Sequence, residues 1–155
     1  MGESESRRVP LYRLSIVREN HSALYGAPSI HDSAAIYKLL RTHFNERPQE
    51  EFVVVMLDAK HSPIAYQVVS VGSLTLSIVH PREVFKLACV ANAAAIVCAH
   101  NHPSGDPAPS QEDRILTDRL AKAGEILGIR LLDHVVIGDG RYVSFADMGW
   151  MPVAD

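Results

Sequence analysis

The sequence predicts an α+β domain in which a mixed β-sheet is flanked by helices. Valine-rich runs bounded by turn residues alternate with stretches that place apolar residues at helical spacing. The chain has 155 residues, a length suited to one domain with one core. Hydrophobic residues make up 47% and charged residues 21%, so enough apolar material is present to bury a sizeable centre.

Residues 1–29 are expected to form a loosely packed N-terminal leader, and residues 30–155 the folded domain. The leader mixes charges with Pro10, Gly26 and Pro28 and shows no sustained hydrophobic period. It has no apolar core of a signal peptide, and no run elsewhere approaches a membrane span. Cys89 and Cys98 are too few for a disulfide scaffold. We therefore expect a cytoplasmic protein.

One helix and three strands are expected in the first half of the domain. Asp32 can cap a helix whose apolar residues recur at helical spacing, at Ile36, Leu39, Leu40 and Phe44. Apolar runs separated by turn residues then predict strands over Glu51–Asp58, Pro63–Val71 and Leu74–Val79.

The second half is expected to contain two helices and three strands. Pro81 suits the first turn of a buried helix, whose apolar spacing continues to about Ala95. A short strand, Ala95–Ala99, then leads into a stiff proline-rich connector. The remaining pattern predicts a helix from Ser110 to about Leu127, followed by strands over residues 128–138 and 141–145.

A candidate zinc site lies where that short strand ends. Side chains two apart on a strand point the same way, so His100 and His102 offer two imidazoles to one point while Asn101 faces away. The helix beginning at Ser110 places Asp113 in its first turn, where the helix dipole favours an ionised carboxylate. Three such ligands leave the fourth tetrahedral position open, as in catalytic zinc sites.

The spacing of these residues resembles a known metal signature. H-x-H, seven residues, then S-x-x-D is the pattern of the JAB/MPN metalloprotease family, and this chain matches it at His100, His102, Ser110 and Asp113. The resemblance implies that His100, His102 and Asp113 hold Zn²⁺. It also implies the JAB/MPN fold, with a cytidine-deaminase-like architecture.

Further blocks resemble the RadC-like branch of that family, and the resemblance covers about residues 32–150. They appear in the expected order over residues 79–88, 99–113 and 127–145. RadC-like proteins often carry a helix-hairpin-helix segment before this domain. No glycine pattern for that segment is visible here, so we expect the stand-alone form.

The resemblance also implies a glutamate that acts as general acid/base at the start of an early strand. Glu50 and Glu51 both qualify. In RadC-like sequences the acidic residue usually stands two places before an aromatic, here Phe52, which favours Glu50 and leaves Glu51 as the alternative. Strand neighbours point to opposite sides, so only one can face the metal, and the other is expected to be solvated.

A zinc-dependent peptidase or isopeptidase is the activity that the resemblance implies, with a peptide or isopeptide as its partner. Zinc would lower the pKa of water to about 7 and polarise the substrate carbonyl, while Glu50 takes and returns the proton. Ser110 would help hold the oxyanion. A plain N-cap explains Ser110 equally well, because Asp113 follows three residues later. Both roles stay open at this point.

Other polar residues near the candidate site have simpler explanations. Asp106 is a possible rival ligand, but an Asp-Pro pair in a turn is usually local turn chemistry. Cys98 shares strand parity with the two histidines, yet a cysteine within AIVCA is most often a buried hydrophobe. Glu83 is a weaker general-base candidate at a helix start. Asp133 and His134 can form a carboxylate–histidine pair, although strand histidines are more often simply hydrogen-bonded in place.

Two further function classes compete with the hydrolase. The RadC name is tied to DNA repair, and the string HNH suggests a nuclease. HNH nucleases spread those residues over a longer element, however, and the net charge of -3 gives no basic excess for DNA. Arg114 is the only cation near residues 100–113. A metal-free scaffold is the third class, and the complete ligand set with both glutamates argues against it.

Overall fold

The computed structural model describes residues 9–17, 27–45, 47–72 and 79–153. Within these residues the chain forms three helices and five strands: α1 (Ser33–Phe44), β1 (Glu51–Leu57), β2 (Pro63–Val71), α2 (Pro81–Val90), β3 (Ala95–Asn101), α3 (Gln111–Leu127), β4 (Arg130–Ile137) and β5 (Tyr142–Ser144). The predicted α+β class is confirmed. The expected strand over Leu74–Val79 lies outside the described residues except for Val79, which is buried in a bend.

The strands form one mixed sheet in the order β2-β1-β3-β4-β5. The central pair β3 and β4 is parallel, which requires a crossover, and α3 supplies it. The other neighbouring pairs are antiparallel. His100 lies opposite Phe52 of β1 and Val136 of β4, so the histidine is held at the middle of the sheet.

Helices cover both faces of the sheet, and the strand residues alternate between two cores. One core packs Phe52, Val54, Ile96 and Cys98 against residues of α2 and α3. The other packs Val53, Val55, Val97 and Ala99 against α1. Because both faces are covered, every residue of β1 and of β3 is buried, and these strands read as continuous apolar runs.

The helix boundaries follow local capping with one exception. Asp32 caps α1 as predicted, since its carboxylate accepts a hydrogen bond from the Ala35 amide at 2.7 Å. Helix α2 ends at Val90, earlier than the spacing up to Ala95 indicated. Asn92 adopts a left-handed φ of 54° there, and the Ala94 amide already donates to the Leu57 carbonyl of β1. Sheet pairing therefore overrides the helical spacing.

The described part of the predicted leader, residues 9–17, contains neither helix nor strand, and its residues are exposed. The boundary between leader and domain stays a prediction. Among the described residues, no helix combines the length and the apolar character needed to cross a membrane.

Candidate metal centre

Four side chains from three parts of the chain meet where β3 ends. His100 belongs to β3, His102 follows its last residue, Glu50 directly precedes β1, and Asp113 lies in the first turn of α3. The two Nε2 atoms of the histidines are 3.1 Å apart. Asp113 places Oδ1 3.3 Å from His100 Nε2 and Oδ2 3.6 Å from His102 Nε2. We call these four residues the metal centre.

Glu50 completes the metal centre. Its Oε1 lies 3.9 Å from His100 Nε2 and 3.7 Å from His102 Nε2. Glu50, His100 and His102 each offer a ligand atom, and the three atoms lie within 4.8 Å of one another. Ligands about 2.0–2.1 Å from a tetrahedral zinc lie roughly 3.3 Å apart. The donor set and its spacing therefore fit a single zinc ion.

Asn101 explains how Glu50 reaches this position. It faces away from the metal centre, as strand alternation predicted. Its Oδ1 accepts a hydrogen bond from the Glu51 amide at 2.7 Å, and its Nδ2 donates to the Gln49 carbonyl at 3.1 Å. The two bonds hold the backbone on either side of Glu50 against β3. Sequence reasoning did not identify this contact, because it joins residues about fifty positions apart.

Glu51, the alternative general base, points to the other face of the sheet. The expectation that this residue is solvated is wrong: Glu51 is 7% exposed, and its carboxylate lies 2.7 Å from His43 Nε2 and 3.5 Å from Arg47. That side of β1 faces α1 and not solvent. A carboxylate buried there needs positive or hydrogen-donating partners, which residues at the end of α1 provide.

Ser110 and Asp113 form a reciprocal capping box at the start of α3. Ser110 Oγ accepts from the Asp113 amide at 3.1 Å, and Asp113 Oδ2 accepts from the Ser110 amide at 2.7 Å. Burial would raise the pKa of Asp113, but the imidazole rings of His100 and His102 beside its carboxylate hold that pKa far below its ordinary value. The capping role of Ser110 is thus present. Its oxyanion role stays a prediction.

His102 is oriented by a main-chain carbonyl. Its Nδ1 donates to the carbonyl oxygen of Asp106 at 2.8 Å, which leaves Nε2 facing the metal centre. The Asp113 carboxylate beside Nε2 raises the pKa of His102 and outweighs the opposing effect of burial. The Asp106 carboxylate itself accepts from the Ala108 amide at 3.1 Å, in line with turn chemistry. Asp106 thus contacts the site through its backbone.

His100 is fully buried and contacts a third histidine. Its Nδ1 is 2.8 Å from His134 Nε2, and His134 Nδ1 is 2.6 Å from Thr117 Oγ1. Burial is the main cause that lowers the pKa of His134 well below its ordinary value. Sequence reasoning missed Thr117, although its position one helical turn after Asp113 on α3 is a signal that could have indicated it.

The suggested pairing of the Asp133 carboxylate with the His134 ring is wrong, because strand neighbours point to opposite faces. The Asp133 carboxylate accepts from Ser144 Oγ at 2.6 Å, the Ala146 amide at 2.9 Å and the His134 amide at 2.7 Å. We call Asp133, Ser144 and Ala146 the Asp133 corner. It ties β4 to β5 and the following turn.

The remaining candidates lie outside the metal centre. Cys98 packs in the core beside Phe52, and burial, with the charge of Asp133, raises the pKa of its thiol far above the ordinary value. That environment suits a hydrophobe and disfavours a thiolate ligand. Glu83 pairs with Lys86 at 2.8 Å on the surface of α2.

A cleft of about 660 Å³ opens beside His102. Its walls come from the end of α1, the connector after His102 and the turn after β4; they include Tyr37, Arg41, Arg47, Ser104 and Asp139. Of the four residues of the metal centre, His102 lines this cleft, together with its neighbour Asn101.

Comparison with known proteins agrees with this geometry. The sequence model of the RadC-like JAB domain matches residues 30–150. The UPF0758 protein of Methanosarcina acetivorans is 49% identical over 116 residues, which cover 75% of this chain and 51% of the relative. That of Caldanaerobacter subterraneus subsp. tengcongensis is 52% identical over 115 residues, covering 74% and 49%. That of Pelobacter propionicus is 57% identical over 101 residues, covering 65% and 44%.

The chain spans about half the length of these curated relatives. The matched region contains the whole metal centre, the capping box and the Asp133 corner. On this coverage and identity, the chain belongs to the RadC-like JAB domain family.

Proposed function

We propose that the protein is a zinc-dependent hydrolase that cleaves peptide or isopeptide bonds. The observation that supports this is that two imidazole Nε2 atoms lie 3.1 Å apart and that each has a carboxylate oxygen of Asp113 and one of Glu50 3.3–3.9 Å away. His102 uses the proton on Nδ1 for the Asp106 carbonyl, so its neutral ring presents a bare lone pair to the site. Such a collection of acceptors is stable only around a cation, and imidazole with carboxylate suits zinc.

The exposures of the four side chains suggest how the roles divide. His100, His102 and Asp113 are 0%, 18% and 7% exposed, whereas Glu50 is 26% exposed. We assign the three more buried residues as ligands, because the capping box and the sheet fix their positions. Glu50 is the most accessible group and is the general acid/base, since a proton carrier must reach both water and substrate.

Zinc bound here would supply Lewis acidity at the substrate carbonyl and lower the pKa of water. The protein residues then handle the proton and the orientation. Glu50 Oε1 accepts a proton from the attacking water and returns it to the leaving nitrogen. Asn101 holds the backbone on either side of Glu50 against β3 and so keeps Glu50 beside the two histidines.

Metal content is the first test of this proposal. We expect about one zinc per chain in the wild type by elemental analysis, and loss of the metal in His102→Ala and in Asp113→Asn. His31→Ala is the matched control, because His31 is exposed and distant in sequence from the metal centre. A wild type that takes up no metal after reconstitution would contradict the proposal and favour the scaffold or DNA-associated class.

Activity is then measured on a panel of peptides and isopeptide-linked conjugates. Cleavage that stops on chelation and returns with zinc supports the substrate class. A zinc-loaded protein that cleaves no amide bond in the panel, but does cleave DNA, would move the proposal from peptidase to nuclease.

A further inference from the structure

We propose that Thr117 and His134 are positioning residues that keep the proton of His100 on Nδ1 and so leave its Nε2 free to bind the metal. The inference rests on the proposed metal-binding function, since a bare Nε2 matters only if a cation is held there. It concerns two buried residues outside the signature, Thr117 on α3 and His134 on β4, and their contact with His100 on β3.

The argument starts from the main-chain carbonyl of Asp113. Thr117 Oγ1 lies 2.6 Å from this oxygen, which can only accept. The single hydroxyl hydrogen of Thr117 therefore points to Asp113. In its other contact, with His134, Thr117 Oγ1 has only lone pairs to offer.

The direction of the next two hydrogen bonds follows from this constraint. His134 Nδ1, 2.6 Å from Thr117 Oγ1, must carry a hydrogen and donate it. A neutral imidazole has one N–H, so His134 Nε2 is an acceptor. His100 Nδ1, 2.8 Å away, must then be the donor.

The surroundings of His134 favour its neutral form. Its ring is fully buried, stacked on Phe145 at 5.0 Å and in edge contact with Phe52 at 5.5 Å. The carboxylate of the neighbouring Asp133 points away from the His134 ring and accepts hydrogen bonds from Ser144 Oγ and the Ala146 amide. A fully buried imidazolium with no carboxylate bonded to its ring would be costly. One N–H per ring is therefore the consistent arrangement.

The two metal-binding histidines thus reach the same tautomer by different means. His102, at the edge of the cleft, donates Nδ1–H directly to the Asp106 carbonyl at 2.8 Å. His100, in the core, has no carbonyl partner at Nδ1 and uses the relay through His134 and Thr117 instead. The relay ends on Asp113, so the residue whose carboxylate faces His100 also fixes the tautomer of that ring through its carbonyl.

A simpler interpretation is that Thr117 only bonds back to the carbonyl four residues earlier, as helical threonines often do. That bond satisfies the hydroxyl hydrogen but does not require a histidine at the oxygen. Because Thr117 Oγ1 also lies 2.6 Å from His134 Nδ1, the hydroxyl connects α3 with β4 and, through His134, with β3.

The first test reads the tautomer without metal. In metal-free protein labelled with ¹⁵N-histidine, NMR at mildly alkaline pH should show His100 as the Nδ1–H tautomer in wild type and in Thr117→Ser. In Thr117→Val the hydroxyl is lost at nearly constant volume, and His134 and His100 should move towards Nε2–H. An Nε2–H tautomer of His100 in wild type, or no change in Thr117→Val, would overturn the inference.

The second test measures zinc affinity by competition with a chromophoric chelator. Loss of an outer hydrogen-bond partner typically weakens metal binding about 10- to 100-fold, so we expect that loss in Thr117→Val and near wild-type affinity in Thr117→Ser. Rescue by serine separates positioning from packing, and thermal unfolding of the apo proteins checks that all variants fold.

The outcomes distinguish this inference from the proposed function. A wild type that binds zinc with a Thr117→Val variant that binds equally well overturns the positioning role and leaves the metal centre intact. A wild type that binds no zinc overturns the proposed function, and with it the purpose assigned to the relay, even where the tautomer is as expected.

Discussion

Two buried carboxylates in this domain, those of Asp113 and Asp133, have opposite kinds of neighbours. The Asp133 corner surrounds its carboxylate with donors only: two backbone amides and the Ser144 hydroxyl, all within 2.9 Å. In the metal centre, Asp113 meets one amide, that of Ser110, and otherwise faces two imidazole nitrogens, which the Glu50 carboxylate also approaches. The chain itself supplies the hydrogen-bond donors for the Asp133 carboxylate. The groups around the Asp113 carboxylate are mostly acceptors.

Under the proposed function, the difference separates a structural carboxylate from a metal-binding one. The hydrogen bonds that the Asp133 carboxylate accepts in the Asp133 corner connect β4 with the turn after β5. Acceptors gathered around Asp113 repel each other unless a cation lies among them. Burial alone does not distinguish the two carboxylates, since Asp113 as a whole residue is 5% exposed and Asp133 is 4% exposed. The identity of the neighbours does.

Glu50 and Glu51 offer the test of this distinction with the largest expected effect. The two residues are adjacent, but Glu50 belongs to the metal centre, whereas Glu51 is a structural carboxylate. We expect Glu50→Gln to keep zinc and lose about 10²- to 10⁴-fold in kcat, since the proton carrier is gone. Glu51→Gln should keep kcat within a few-fold and lose about 1–3 kcal/mol of unfolding free energy, because His43 and Arg47 lose a charged partner. Zinc content, kcat and urea unfolding are measured for both.

The reverse pattern would reassign the general base. A large loss of kcat in Glu51→Gln at full zinc content, with Glu50→Gln unaffected, would mean that the active conformation turns β1 over relative to this structure.

Replacement by asparagine should have opposite consequences at the two aspartates. Asp113→Asn removes the negative charge that balances a cation, so zinc is lost. Asp133→Asn keeps Oδ1 for the two amides, and its new amide group can donate to Ser144 Oγ. We expect it to cost less than about 1 kcal/mol, whereas Asp133→Ala strands three donors and should cost about 3 kcal/mol. Chemical unfolding and zinc content check both.

The pH dependence of stability should show the same contrast. Burial is the main cause that raises the pKa of Asp133 above 3.8, so the folded state holds this proton to a higher pH than the unfolded chain does. The contribution of Asp133 to stability should therefore fall as pH rises from about 3.8 through the raised pKa, and level off above it. Asp133→Asn should lack this part of the slope. An identical slope in both proteins would contradict the assignment.

Sequence reasoning was strongest where one local period decides the geometry. The two-residue period of a strand placed His100 and His102 on one side and Asn101 on the other, and the structure agrees. The S-x-x-D spacing at a helix start likewise gave the capping box of Ser110 and Asp113. These features depend on residues within a few positions of one another, so the chain itself contains the information.

The errors all depend on partners that are distant in the chain. Glu51 was expected in solvent because nothing near it shows that α1 covers that face of β1. The sequence leaves open a pairing of the His134 ring with its neighbour Asp133, whereas the actual partners of that ring, Thr117 and His100, are 17 and 34 residues away. Local pattern determines which way a side chain points, but only the packed fold determines what it meets.

Ser110 provides the smallest test and separates its two possible roles. Loss of an N-cap typically costs about 1 kcal/mol, so Ser110→Ala should lose roughly that much unfolding free energy. Asp32→Ala is the matched control, because Asp32 caps α1 with the same kind of bond, at 2.7 Å, away from the metal centre. Both variants should lose similar stability in thermal or urea unfolding.

Only Ser110→Ala should also affect zinc, because the capping box sets the position of the Asp113 carboxylate. We expect a loss of affinity below about tenfold, and kcat unchanged once zinc is saturating. A fall in kcat of about 10²- to 10³-fold at full zinc occupancy would instead identify the Ser110 hydroxyl as an oxyanion donor. Since Ser110 Oγ already accepts from the Asp113 amide while its hydrogen is free to turn, that result would assign both roles to one hydroxyl.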